Sequence, residues 1–144
     1  MKNHIINSLL TLILLSSSVK AADFFVYSSA QAPDYSTIQS AVNAASNNDN
    51  IYIDSTVFTE NVTIDKSLSF YPLVKGSRYT INGALTLDFV NNTSIYIQGL
   101  DGAGISSTFN GSNSDSATII INDCYFTGVV DLNTNSSIHS FIYY

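Results

Sequence analysis

Basic side chains are scarce in this 144-residue chain: Lys and Arg together number five, against eleven Asp and Glu. Two of the five, Lys2 and Lys20, precede Ala22, in a segment that reads as a removable leader. Without them Lys66, Lys75 and Arg78 face eleven acids, a net charge of −8. Such a chain has too few cations to release counterions from a phosphate backbone, which excludes nucleic acid as a partner. Cysteine is represented by Cys124 alone, so no internal disulfide forms, and no Cys/His spacing marks a zinc site. Lys, Glu and Arg are also too few to clothe exposed helices, whereas Ser, Thr, Asn, Ile and Tyr, which suit strands and tight turns, are abundant. Hydrophobic residues make up 45% of the chain, enough to exclude disorder.

No apolar run is long enough to cross a bilayer, which takes about 20 residues. The run from Ile5 to Leu15 follows Lys2 and His4 and precedes SSSVKAAD, with Val19 and Ala21 two apart. This is the layout of a secretory signal cleaved after Ala21. The expected organisation is a signal peptide over 1–21, an extended segment and helix over 22–50, and one strand-rich domain over 51–144. The mature protein is expected to be secreted or at the cell surface, periplasmic in a Gram-negative host, with no remaining membrane span.

FFVYSS is extended and apolar, and Pro33 closes that segment. In DYSTIQSAVNAASNNDN, Ser36 and Gln39 have the spacing of a capping box. Ile38, Ala41, Val42 and Ala45 fall on one helical face, and the polar SNNDN ends the helix. From Ile51 onward the period becomes two: Ile51/Ile53, Val62/Ile64, Leu68/Phe70, Leu85/Leu87, Ile95/Ile97, Ile119/Ile121 and Val130/Leu132 are spaced as inward pairs on short strands. Asn82-Gly83, Asn91-Asn92, Asp101-Gly102, Asn110-Gly111, Asn122-Asp123 and Asn133-Thr134-Asn135 supply turns between them.

The pairs recur. Leu68/Phe70 returns at Ile95/Ile97 and again at Ile119/Ile121, and Val62/Ile64 returns at Leu85/Leu87. Leu87 leads on to Phe109 and Leu132, and Ile51/Ile53 to Tyr79/Ile81. An irregular period of about two dozen residues with several short strands per repeat predicts an all-β parallel solenoid of about four coils. Its expected hand is right-handed, and the N-terminal helix would plug its open first coil. An antiparallel sandwich also accommodates short strands but does not explain recurrence at fixed offset. The absence of a second helical pattern excludes a TIM barrel.

The segment DYSTIQSAVNAASNNDNIYI followed by VFTENVTIDKSLSF resembles the entry segment of right-handed parallel β-helix proteins of the pectin lyase-like superfamily, which includes pectin methylesterases. The shared positions are Tyr35, Thr37, Ile38, Gln39, Ala41, Val42, Asp49, Ile51, Ile53, Glu60, Asn61, Val62, Ile64, Lys66 and Leu68, with Phe58 where the family has Tyr. DCYFTGVVDL is similar to the run that carries the nucleophilic aspartate of the methylesterases, and the resemblance places that role on Asp131. The family's Q-A-V-A and G-x-Q-D-T-L segments have no counterpart in this sequence. A lyase's base beside a calcium cage and a glycosidase's paired acids are also missing from it.

Among other residues, Glu60 is expected to hydrogen-bond the cap or a turn, Cys124 to pack in a coil corner, and Asp101 to Gly104 to form a turn. His139 has no partner at useful spacing and reads as structural. Tyr52, Tyr96 and Tyr125, if outward, would form a stacking surface for sugar rings. Asn61, Asn91, Asn92, Asn110 and Asn135 begin glycosylation sequons that a eukaryotic host would use. The closing SIHSFIYY carries no polar cap, and reads as an incomplete last coil or as a surface that pairs with another copy. The function expected is a non-catalytic binding or structural module, with polysaccharide favoured by the resemblance and no cofactor or metal. The alternative is a truncated polysaccharide-active esterase or lyase.

Overall fold

The computed structural model describes residues 20–29, 34–89, 92–102, 104–109, 117–131 and 138–143. The leader expected over 1–21 therefore lies outside the described residues, except for Lys20 and Ala21.

The chain enters through β1 (Asp23–Val26) and the helix α1 (Ile38–Ala44) and then winds into coils of three strands each. The first coil is β2 (Asp49–Ile53), β3 (Val57–Phe58) and β4 (Val62–Ile64); the second is β5 (Leu68–Pro72), β6 (Tyr79–Ile81) and β7 (Leu85–Phe89). The third is β8 (Ser94–Gln98), β9 (Leu100–Gly102) and β10 (Ile105–Phe109), and the fourth is β11 (Ala117–Asn122), β12 (Tyr125–Phe126) and β13 (Val130–Asp131). A further strand, β14 (Ile138–Tyr143), stacks on β11. Corresponding strands pair in parallel into three sheets: β1-β2-β5-β8-β11-β14 (sheet A), β3-β6-β9-β12 (sheet B) and β4-β7-β10-β13 (sheet C). This is a parallel β-solenoid of about four turns with one short helix near its N-terminus.

Alternation explains the core. Odd positions of β2, Asp49, Ile51 and Ile53, are buried, while Asn50 and Tyr52 between them face out. Leu68, Ile95 and Ile119 stack rung on rung, as do Phe70, Ile97 and Ile121, at the offsets that the sequence shows. Two expected recurrences are corrected by the register. Ile51 and Ile53 stand opposite Phe70 and Pro72, not Tyr79 and Ile81, which belong to sheet B and follow β3. Phe109 stands opposite Phe89 rather than Leu87, whose partner is Ser107. The cause is unequal coil length: the chain from Asp49 to its partner Leu68 is markedly shorter than the chain from Leu68 to its partner Ile95. Val130, expected inward, is 37% exposed on β13, and Leu132 lies outside the described residues.

Helix α1 turns Ile38, Ala41 and Val42 into the core and packs against β1, β2 and β4, closing the first coil as a lid. Burying an aliphatic side chain of this size stabilises by about 1.5–3 kcal/mol, so the stripe holds the lid more firmly than helix propensity does. The expected Ser36/Gln39 capping box does not form. Thr37 is the N-cap, and its hydroxyl oxygen accepts from the Ser40 amide. The Gln39 amide is instead taken by Glu60 from the first coil, and the Gln39 side chain bonds Thr63 on β4 through both its oxygen and its nitrogen. A tertiary carboxylate has displaced the local cap.

The corners use the residues whose short side chains tolerate a left-handed backbone: Asn48 (φ 73°), Asn92 (φ 56°) and Asp123 (φ 49°). Asp101-Gly102, expected as a turn, lies on β9. Gly83 is required for a different reason, since a Cβ there would sit 2.0 Å from the Glu60 carbonyl oxygen of the preceding coil. Among the described residues no helix is long and apolar enough to cross a membrane.

Candidate functional site

Sheets A and B each carry aromatic rings on their outer faces, and the two arrangements offer a ligand different things. On sheet A, Phe25, Tyr52 and Tyr71 occupy one outward row in register. Their rings stack at centroid distances of 5.5 Å for each pair, with planes inclined by 20° and 25°. Tyr96 belongs to the neighbouring row, opposite Ser69, yet its ring leans diagonally to lie 5.2 Å from Tyr71. Its hydroxyl oxygen accepts from the Asn122 side-chain amide at 3.0 Å, which holds the lean. Burial, and then the nearby Asp23 carboxylate, push the Tyr52 phenol above its ordinary titration range.

Phe25, Tyr52 and Tyr71 turn their faces to one another and Tyr96 closes on Tyr71 at a 38° tilt, so between neighbours a ligand meets edges. Sugar stacking needs an open ring face, and in this ladder the faces between neighbours are already occupied. The structure thus brings Tyr52 and Tyr96 together through Tyr71, but as a self-satisfied column.

Tyr125 is elsewhere. It lies on sheet B, 60% exposed, and stacks on no other aromatic ring among the described residues. The register aligns Val57, Thr80, Asp101 and Tyr125 as one outward row crossing the four coils. These four, with Ile81, Asn82, Gly102 and Thr127, line an open groove of about 410 Å³. Arg78 stands beside it, binding Asp101 at 3.0 Å with one guanidinium nitrogen and Asp123 with another. Those contacts, the Asp101 hydrogen bond first, raise the guanidinium's affinity for its proton and fix the direction of the Asp101 carboxylate. The groove thus combines one free aromatic face, an apolar patch at Val57, a positioned carboxylate and the hydroxyls of Thr80 and Thr127.

Asp131 is exposed on β13 and lines a separate open groove on sheet C with Gly83, Ala84, Leu85, Gly104, Ile105, Ser106 and Val129. That lining holds no second carboxyl group, no glutamine and no arginine, so nothing in it would act as the acid–base partner or steady an oxyanion. Glu60 is committed to the lid, accepting from the amides of Ile38 at 2.8 Å and Gln39 at 3.0 Å. Cys124 is buried at a coil corner, its sulfur accepting from the Leu100 amide, and burial pushes its thiol upward. Among the described residues no group of three or more His, Cys, Asp or Glu side chains is arranged to hold a metal ion.

Asn61 is exposed and its side-chain oxygen accepts from the Ala84 amide, while Asn92 sits at a left-handed corner. Asn91, Asn110 and Asn135 lie outside the described residues, as does the His139 side chain. Sequence reading missed Phe25 and Tyr71 in the column, and Val57, Thr80, Arg78 and Asp101 in the groove. Strand parity alone would have marked Phe25 and Tyr71 as outward. The groove row needed the register of the two-residue strands β3 and β12, which leave no periodic trace. Compared with models of protein families, with curated proteins and with solved structures, the chain matches none.

Proposed function

We propose that this solenoid is a secreted protein of the pectin lyase-like kind that binds polysaccharide without transforming it, through the groove on sheet B. The observation that carries the reading is Tyr125, whose exposed ring stands one coil from the fixed Asp101 carboxylate and shares an open groove with the hydroxyls of Thr80 and Thr127. Sugars are recognised by that pairing of an apolar ring face with directed hydrogen bonds. The row rises by roughly 4.8 Å per coil, enough for a short oligosaccharide to lie along it. The acidic composition disfavours polyanions, and Arg78 is already engaged by two carboxylates, so neutral or esterified chains are the favoured class.

The test is titration calorimetry of the secreted chain with methyl-esterified pectin, polygalacturonate, xylan and a soluble cellulose oligomer. Binding of at least one neutral or esterified chain is expected, weakened tenfold or more in Tyr125→Ala and unaltered in Tyr52→Ala. No binding to any of the four, or equal binding by Tyr125→Ala, would overturn the assignment. Methanol release from methylated pectin that disappears in Asp131→Ala would replace it with an esterase.

A further inference from the structure

Asp49 is the one carboxylate among the described residues that is buried in the interior side of the coil, 5% exposed and aligned with Ile51 and Ile53. One oxygen accepts from the Ala22 backbone nitrogen at 2.7 Å and the other from the Ser46 amide at 2.8 Å. No side-chain cation pairs with it among the described residues; Lys66, one turn away, bonds the Ala45 carbonyl and Asp65 instead. A buried carboxylate ordinarily has a counter-charge, and this one has only two amides.

We infer that the missing counter-charge is the chain's own α-amino group, made when the leader is cut between Ala21 and Ala22 and delivered directly onto Asp49. Two independent observations meet at this bond. The Val19-Lys20-Ala21 pattern puts the cut after Ala21 from sequence alone. The fold puts the nitrogen of the very next residue on the buried acid. In the hydrolysis, water is consumed and the Ala21 C–N bond breaks. The hydroxyl completes a carboxyl group on Ala21, and the released nitrogen takes up a proton to become an ammonium.

The nitrogen cannot wander after the cut, because the Ala22 carbonyl accepts from the Asn50 amide at 2.9 Å and Asp23 pairs with Asn50 in the ladder. The charged groups around it are Asp49, Asp23 of β1, whose carboxylate accepts from the Asn50 side chain, and Lys66, whose ammonium is held on the Ala45 carbonyl next to Ser46. The turn before β2 contributes Ser46, Asn47 and Asn48, which carry no charge. The two carboxylates favour the ammonium form and the Lys66 charge disfavours it; Asp49, bonded directly to the nitrogen, decides. Export processing is thereby also a locking step, which ties β1 to the first coil and so secures the edge of sheet A.

The inference rests on the export part of the proposed function and is independent of the ligand. N-terminal sequencing of the secreted protein is expected to begin at Ala22, and any other start overturns it. Three forms then separate the electrostatic step: the chain starting at Ala22 with a free amine, the same chain Nα-acetylated, and one retaining Lys20-Ala21. At pH 6.5 the free-amine form should unfold about 5 °C or more above the other two. An ordinary α-amino group titrates near 7.7–8.0, and pairing raises it in the folded state, so the advantage is full below that range and lost as pH rises through the raised value. In Asp49→Asn the gap should vanish. A free-amine form no more stable than the acetylated one at pH 6.5, or a gap between them that persists in Asp49→Asn, refutes the pairing. Should Asp49→Asn fail to fold, the free-amine and acetylated comparison decides alone.

Discussion

Replacing Glu60 by alanine should loosen the lid before it loosens anything else. The Glu60 carboxylate accepts both the Ile38 and Gln39 amides, at 2.8 and 3.0 Å, at the point where α1 begins. A hydrogen bond to a charged group contributes about 1.5–3 kcal/mol when fully desolvated. Glu60 is only half-buried, so about 1 kcal/mol for each is the appropriate figure. A negative charge at a helix start adds about 0.3–1 kcal/mol, for a total of about 2–3 kcal/mol. With a urea dependence of about 1–3 kcal/mol per molar, the unfolding midpoint of Glu60→Ala should fall by about 1 M. Glu60→Gln, which keeps one acceptor and loses the charge, should fall by roughly half as much. Asp65→Ala, an exposed change on the same coil, should stay within about 0.5 kcal/mol of the parent. Amide exchange gives the location: the amides of α1 should exchange faster in Glu60→Ala, while those of β8 and β11 keep their protection. A midpoint within about 0.2 M of the parent, with α1 protection unchanged, would show that the stripe of Ile38, Ala41 and Val42 holds the lid by itself, and the reasoning would fail.

Gly83→Ala should destabilise by several kcal/mol, since the new Cβ would collide with backbone of the preceding coil, and a midpoint shift under about 0.3 M would contradict the stacking described. Tyr79 is 1% exposed, and burial holds its phenol well above the ordinary 10.0. Below about pH 10 its titration leaves stability untouched; above that the unfolded chain loses the proton first, and stability falls as pH rises. Tyr79→Phe should therefore match the parent at pH 8 and exceed it at pH 11 in urea unfolding. Tyr71→Ala breaks two ring contacts, each contributing about 0.5–1.5 kcal/mol. It should lower the melting temperature and erase much of the near-ultraviolet dichroism, while a double-mutant cycle with Tyr52→Ala should show positive coupling.

What could be read from the sequence was what repeats within long strands. Leu68/Phe70, Ile95/Ile97 and Ile119/Ile121 lie on strands of five or six residues, where period-two burial is visible, and their offsets gave the solenoid. Ile51/Ile53 lead to Phe70/Pro72 rather than Tyr79/Ile81 because the first coil is the shorter one, and the two-residue strand Val57–Phe58 gives no periodic sign of the face in between. The cap was misplaced because Glu60 lies a full coil away from Gln39 along the chain, and a local motif cannot register a distant carboxylate. The tyrosines illustrate a second boundary. Alternation with isoleucine says correctly that Tyr52 and Tyr96 point outward, but whether a ring face stays open depends on which ring lies on the next coil. Tyr96 joins the column by leaning across to another row, a choice fixed by Asn122 and by nothing in its own strand.

The unequal coils leave a further consequence. The length of chain between stacked rungs differs from one coil to the next, yet the side chains inside keep their alignment. The surplus must leave sideways at the corners, as in the excursion between Leu73 and Arg78 that separates β5 from β6. Girth and register are thus set by different residues, and the chain's outline at a corner is free to grow or shrink while the stacked interior rows stay aligned. New surface can be added to such a protein by lengthening a corner, with no change to the column of aliphatic side chains at its centre.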